Sequence, residues 1–318
     1  MRKIIAIGES VLDILFRKDQ PAKAQVGGRI ANAAAIAADM GVPCAMVSEC
    51  CADRVGDIIV DYLTRHHVDV SAIDRYKGGS TALSTIFDDD QQAIINYGTY
   101  PDSRFNVVWP RIDENDILIF GSLYSIEEAQ RERLYELVTY AAERHAIIIY
   151  LPGFQHGISY RITHVMPAIL ENLETAHLVI AHDRDLHDIF PGESAQQAFA
   201  NHVEFYCNHY LHIHNSLAVT HFTAGGHNEQ HYPATSISEA HNLLGWQAGF
   251  TAGVAIALIL NGVTHDSLDT LSADTWHNIV GTAQHVAALC ADGNNCLSDE
   301  QAGRYRQLMQ SINNPIDQ

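Results

Sequence analysis

His241-Asn242-Leu243-Leu244-Gly245-Trp246-Gln247-Ala248-Gly249-Phe250-Thr251-Ala252-Gly253 opens a run with no charged residue through Asn261. Glycine recurs at 245, 249 and 253, so one face of a helix here has almost no side chain. A helix start gathers unpaired backbone N–H groups and the positive end of the dipole, which suits it to an anion. The apolar part, about 243–260, is too short and glycine-rich to stand out as a membrane span. Gly-xxx-Gly spacing also serves membrane helix pairs, but a helix buried in a protein core is the preferred reading.

The segments before this run alternate between strands and amphipathic helices. Lys3 to Gly8 is a short β-rich run ending in glycine, and Val11 to Phe16 continues extended. Val26-Gly27-Gly28-Arg29-Ile30-Ala31-Asn32 leads into an alanine-rich helix that stops at Gly41. Thr81 to Tyr97 reads as a hairpin whose turn is Asp88-Asp89-Asp90, a solvated tip rather than a metal site. Further strands are expected at 117–120, 146–151, 177–181 and 216–221. A capping box, Ser125-Ile126-Glu127-Glu128, is expected to open a helix carrying Leu134, Leu137, Val138 and Ala141 on one face. The last two helices are expected near Ser272 and Ser298. This alternation implies an α/β fold with a mostly parallel sheet covered on both faces, and ligands at the carboxyl ends of its strands.

The 318 residues are 47% apolar, enough for one large domain, and carry a formal net charge of −19, which argues against nucleic-acid binding. Glu9 interrupts the N-terminal apolar run too early for a signal peptide. Six cysteines without a C-x-x-C spacing indicate neither a disulfide framework nor a zinc ribbon. A cytoplasmic protein without membrane or nucleic-acid partners is expected.

Several of these segments resemble the signatures of the ribokinase-like (PfkB) carbohydrate kinases. Gly27-Gly28 followed by Asn32 and Ala33 is similar to the family's first signature, Gly-Gly-x-x-x-Asn-x-Ala. Gly245, Phe250, Ala252 and Gly253 match its C-terminal one, Asp-Thr-Thr-Gly-Ala-Gly-Asp-Ala-Phe-x-Ala-Gly. Asp53 and Gly56 match a third segment, with Ser48 and Cys51 at its glycine positions. The resemblance covers about residues 3–290. It implies a ribokinase-like three-layer sandwich, a single domain over 1–318 with a small β-sheet lid from about 11–26 and 81–98. It further implies a sugar or nucleoside substrate, ATP and Mg2+ as cofactors in an active member, and a homodimer through the lid. Asp13, Gly27, Gly28 and Asn32 fall at substrate-binding positions, and the residue at 30, often small in the family, is expected to crowd a sugar as Ile30. His182, Asp185, Thr220 and Gly225 fall at nucleotide-side positions.

The chemistry of the family is damaged where it matters most. Transfer of a phosphoryl group needs a base, donors for the developing charge and a metal on the nucleotide phosphates. The family's base is an aspartate where this chain has Ala248, and no Asp, Glu or His lies between Asn242 and His265. Gly245, Trp246 and Gln247 take the anion-hole positions, and the last two add bulk there. The family's Asn-x-x-Glu aligns with His182-Asp183-Arg184-Asp185, its Asp-Pro-Asn keeps only Pro152, and its Thr-x-Gly-x-x-Gly has Phe222 at the first glycine. A missing base alone costs roughly 10²–10⁴-fold.

Three readings follow. One is a pseudokinase that keeps a sugar, nucleoside or nucleotide cleft with phosphoryl transfer impaired or lost. A second is an active carbohydrate kinase using His182, Asp185 or another group as base. A third is a structural or partner-binding protein. Among 19 histidines, His212 and His214 share one face of a strand, but no third ligand is visible near them and no metal site is expected. His187, close to His182, is read as a hydrogen-bonded or solvated histidine.

Overall fold

Ile4–Ile7 (β1) sends Ile4 and Ala6 into one hydrophobic core and Ile5 and Ile7 into another. Only a strand covered on both faces does this, because successive side chains point to opposite sides. The computed structural model describes residues 2–87, 93–96, 98–101, 107–153, 162–225, 228–234, 243–291, 297 and 299–313. The acidic turn at 88–90, the opening pair His241-Asn242 and the cap expected at Ser298 lie outside these residues.

After β1 come β2 (Val11–Arg17), β3 (Gln20–Gly27), helix α1 (Arg29–Asp39), β4 (Cys44–Cys51), α2 (Arg54–Arg65) and β5 (Ile73–Tyr76). The chain continues through β6 (Leu83–Phe87), β7 (Ala93–Asn96), β8 (Ile117–Gly121), α3 (Arg131–Glu143), β9 (Ile147–Leu151) and α4 (Ile162–Thr175). Then come β10 (Leu178–His182), α5 (Asp183–Ile189), α6 (Ala195–Ala198), β11 (His209–Ile213), β12 (Val219–Thr223) and β13 (Asn228–Tyr232). Helices α7 (Leu243–Leu260), α8 (Ala273–Cys290) and α9 (Asp299–Asn313) follow.

Among the described residues, nine strands form the central sheet in the order β13-β12-β11-β10-β9-β8-β1-β4-β5, parallel except around β12. Residues of α1, α2, α7, α8 and α9 build the core on one face, and α3 and α4 that on the other. The expected three-layer α/β arrangement is therefore present. A separate sheet, β3-β2-β6-β7, joins the two stretches expected to make a lid. Asp53 ties the segment leading into that sheet to the body: its carboxylate caps α2 at Gly56 and also accepts from the Thr81 amide and hydroxyl.

The capping box expected at Ser125 does not form. Ser125 is buried in a short 3-10 turn, its hydroxyl donates to the Ser122 carbonyl, and α3 starts only at Arg131. A hydroxyl already used backwards cannot cap the turn ahead of it.

Helix α7 has the length and hydropathy to cross a membrane, yet 83% of it is buried inside the fold, against α8 and α1. The glycine stripe explains how it packs. A Cβ on Gly253 would lie 2.6 Å from the Ala283 Cα of α8, and one on Gly249 2.9 Å from the Ala287 Cα. Gly253→Ala should therefore destabilise the protein by about 1–2 kcal/mol, overpacking outweighing the gain in helix propensity. Gly281→Ala, on α8 with nothing within 4 Å, should stabilise it by up to about 1 kcal/mol. Urea unfolding of the two variants checks the opposite signs.

Candidate functional site

The chain runs outward from β1 through β4 to β5, then returns to β8 on the other side of β1 and proceeds to β13. The crevice at the carboxyl ends of β1 and β8 is thus the topological switch point, where open α/β sheets bind ligands. Glu9 follows β1 and Ser122 follows β8. Ser122 has φ 54, a left-handed value uncommon for a residue with a side chain. The Tyr124 amide donates to Glu9 Oε2 at 3.4 Å. Burial pushes the Glu9 carboxyl up, opposed by its own and the Tyr124 backbone N–H, by Arg29 and by Ser122.

The paired glycines pack on the backbone of Glu9 and on the side chain of a second acid. A Cβ on Gly28, whose φ is +96, would stand 2.3 Å from the Glu9 carbonyl oxygen. A Cβ on Gly27 would stand 2.2 Å from Asp13 Oδ1. Only glycine lets β3 and α1 approach so closely. Asp13 is 4% exposed, and its carboxyl is pushed up to about 7 by burial, with Ser84 opposing and Glu9 adding to the rise. Glu9 was not singled out as a site residue in sequence, though a lone acid straight after an apolar strand was its visible signal.

Glu9 also lines a cavity of about 410 Å³, counting its open mouth, with Glu49, Tyr100, Tyr124, Glu127 and Gln130. Gln130 Nε2 donates to Glu49 Oε1 at 2.8 Å, while Gln130 Oε1 is buried with no partner among the described residues. The polar wall is rich in acceptors. It suits a ligand that brings donors.

Asn32 and Ile30 are both engaged within the fold. Asn32 donates to the Val26 carbonyl at 3.4 Å and accepts from the Tyr62 hydroxyl at 3.2 Å, so both ends of its amide are engaged within the fold. Ile30 is fully buried, and a Cβ on Gly8 would be 3.0 Å from its Cδ1. It belongs to the hydrophobic core on the α1 face of the sheet.

At the nucleotide side, His182 caps α5. Its Nδ1 accepts from the Arg184 amide at 3.1 Å, and Asp185 Oδ2 accepts from the His182 amide at 3.0 Å. The capping assignment leaves the proton on Nε2, which is buried without a partner among the described residues. Burial lowers the His182 pKa to about 4, more than the attraction of Asp185 and Asp183 raises it, so the ring is neutral near pH 7. Asp185 Oδ2 also pairs with Arg29 Nη1 at 3.0 Å, both side chains mostly buried. Gly153 packs on that pair: a Cβ there would be 2.5 Å from Asp185 Oδ1 and 2.6 Å from Arg29 Nη2.

This arrangement does not fit a magnesium ion held by Asp185. Its position is matched by a guanidinium, and the neighbouring His182 presents a protonated nitrogen rather than a hard oxygen. Thr220 Oγ1 is shared between His214 Nε2 at 2.8 Å and His231 Nδ1 at 3.3 Å, and the Gly225 amide donates to Glu204 at 3.2 Å. The fold packs Asp13 on Gly27 and the Glu9 carbonyl on Gly28, and Arg29, next in sequence, pairs with Asp185 of the α5 cap. Thr220 and Gly225 sit two strands further along.

In α7, Gly245, Trp246, Gln247 and Ala248 are all buried. Trp246 is 1% exposed and its ring stacks on Phe250, centroids 5.3 Å apart. Its bulk is therefore packed into the core. Ala248 is fully buried and has no titratable atom.

Residues 1–205 match the pfkB family of carbohydrate kinases. The chain belongs to that family. Solved pfkB-like structures share its fold over nearly full length. A fructokinase from Vibrio cholerae O395 with fructose, ADP and calcium bound has TM-score 0.80 and 14% identity, over 96% of this chain and 99% of that one. An aminoimidazole riboside kinase from Salmonella enterica, complexed with aminoimidazole riboside and an ATP analog, has TM-score 0.76 and 14% identity, over 96% and 100%. A Xylella fastidiosa fructokinase with bound ATP has TM-score 0.72 and 17% identity, over 98% and 99%. No curated protein matches. At such identities the pfkB fold is what these structures share with this chain. The chemistry rests on its own residues.

Proposed function

We propose that this pfkB-family chain binds a hydroxyl-rich small molecule, a sugar or nucleoside, between the lid and the switch-point crevice, with phosphoryl transfer from ATP impaired or lost. The observation that carries the reading is Ala248, a fully buried residue without a proton acceptor where the family places its base. The alternative bases support it further. Asp185 is committed to Arg29 and to the cap of α5, and His182 has its lone pair engaged by the Arg184 amide. A carboxylate paired with a guanidinium and a ring whose lone pair is engaged are both weak proton acceptors for a substrate hydroxyl.

Binding rests on the acceptor-rich wall of Glu9, Glu49 and Gln130 and on Asp13. The two relatives with fructose or aminoimidazole riboside bound point to the same ligand class. A combined screen tests both halves: thermal shift, and magnesium-dependent ADP release, over a panel of sugars and nucleosides. At least one sugar or nucleoside should raise the melting temperature, with ADP release well below the roughly 1–100 s⁻¹ of working kinases. Release of several ADP per second would overturn the loss of transfer. A panel without any shift would favour a partner-binding role.

A further inference from the structure

We infer that Asp183, His212 and His214 form a binding site for one divalent first-row transition ion, with zinc as the reference ligand. His212 and His214 lie two apart at the end of β11 and so point to one side. The fold then adds Asp183, from the start of α5, which no sequence spacing relates to them. Asp183 Oδ1 is 2.6 Å from His212 Nε2 and 3.9 Å from His214 Nδ1. The three atoms lie within 4.8 Å of one another. Two imidazole nitrogens and a carboxylate oxygen around a tetrahedral ion at about 2.1 Å would be roughly 3.4 Å apart, a value the two measured separations bracket.

The remaining polar atoms of the triad are each fixed from behind. Tyr210 Oη is 2.8 Å from His212 Nδ1, Thr220 Oγ1 is 2.8 Å from His214 Nε2, and the Asn215 amide donates to Asp183 Oδ2 at 2.7 Å. Orienting partners of this kind are what metal-ligating histidines and carboxylates need. They set Nε2 of His212, Nδ1 of His214 and Oδ1 of Asp183 as the inward atoms. A single hydrogen bond from His212 to Asp183 would account for two of these three atoms. It leaves the convergence of His214 Nδ1, beyond hydrogen-bond distance, without a role.

His212 is fully buried, whereas the His214 and Asp183 side chains are 32% and 31% exposed. The ion is thus anchored on a buried ligand and open to solvent on one side, with room for water or an anionic oxygen. The site lies at the carboxyl end of β10 and β11, beside Thr220, which pairs with His212 in register. Two nitrogen ligands select zinc, cobalt or nickel over magnesium.

The test uses the untagged full chain, stripped with a chelator. Zinc is titrated by calorimetry, with cobalt absorption as the geometric probe and magnesium as competitor. The expected result is one zinc per chain, a four-coordinate cobalt spectrum and no competition by magnesium. Asp183→Asn and His214→Ala, both at partly exposed positions, should weaken zinc at least about 100-fold while far-UV circular dichroism stays unchanged. Tyr210→Phe, a positioning change, should weaken it about 10-fold. His265→Ala, in the separate His145, His265, Asp266 group, should change nothing. Absence of zinc binding would overturn the site, as would wild-type affinity in both ligand variants.

Discussion

Asp13→Asn should stabilise the protein at pH 8 and leave it nearly unchanged below pH 4. The direction comes from where the folded carboxyl holds its proton. Its ordinary value is 3.8 and burial raises it to about 7 in the fold. Below the lower value the group is neutral in both states and contributes nothing. As pH rises from there towards 7, the unfolded chain ionises while the folded chain keeps its proton, so the unfolded state is favoured progressively. Above 7 the folded carboxylate is charged and buried, and the full penalty is present. At about 1.4 kcal/mol per pH unit, it is on the order of 4 kcal/mol.

Asparagine keeps the size and hydrogen-bonding capacity without the charge. Urea unfolding at pH 4, 6 and 8 should show the gap between variant and parent widening with pH. A pH-independent gap would mean that Asp13 is solvated and not held against Gly27. Glu9, raised by burial and coupled to Asp13, keeps a pH dependence of its own, so the variant's profile should flatten without becoming level. The same crowding explains why both glycines of the first signature are needed: Gly27 admits the Asp13 carboxyl, and Gly28 admits the Glu9 backbone carbonyl at a positive φ.

Ala248→Asp should cost stability and restore little transfer. Ala248 is fully buried in α7, which packs against α1 and α8. A carboxyl without a partner there costs roughly 2–4 kcal/mol, even if it takes up a proton. A restored base recovers at most about 10²–10⁴-fold, and Asp185 remains bound to Arg29. ADP release should stay below about 1 s⁻¹, the lower end for kinases. Thermal melts and a coupled ADP assay with the best ligand from the screen measure both effects. Turnover of several per second in Ala248→Asp would show that the base is the sole defect and that the Arg29–Asp185 pair is no obstacle.

Much of the architecture was legible because period and punctuation are local. The alternation at Ile4–Ile7, the stop at Gly41 and the uncharged span of α7 each follow from neighbouring residues. The short edge strands β5 and β13 were not read, since nothing in their own sequence distinguishes them from loops until β4 and β12 pair with them. Ser125 shows the reverse error: its local capping pattern was overridden by a tertiary turn.

By itself the sequence determined the α/β class, the pfkB resemblance and the lack of any titratable side chain around Ala248, since each depends on residue identity in a short window. It could not determine which way a side chain points or which distant group meets it. Only the tertiary structure turned Ile30 and Trp246 into the core, committed Asp185 to Arg29, placed Glu9 at the switch point and brought Asp183 to His212 and His214. The physical reason is common to all of these. Burial, pairing and ligand geometry are set by contacts between segments far apart in the chain, and a helix turn or strand register decides them only after the whole sheet has assembled.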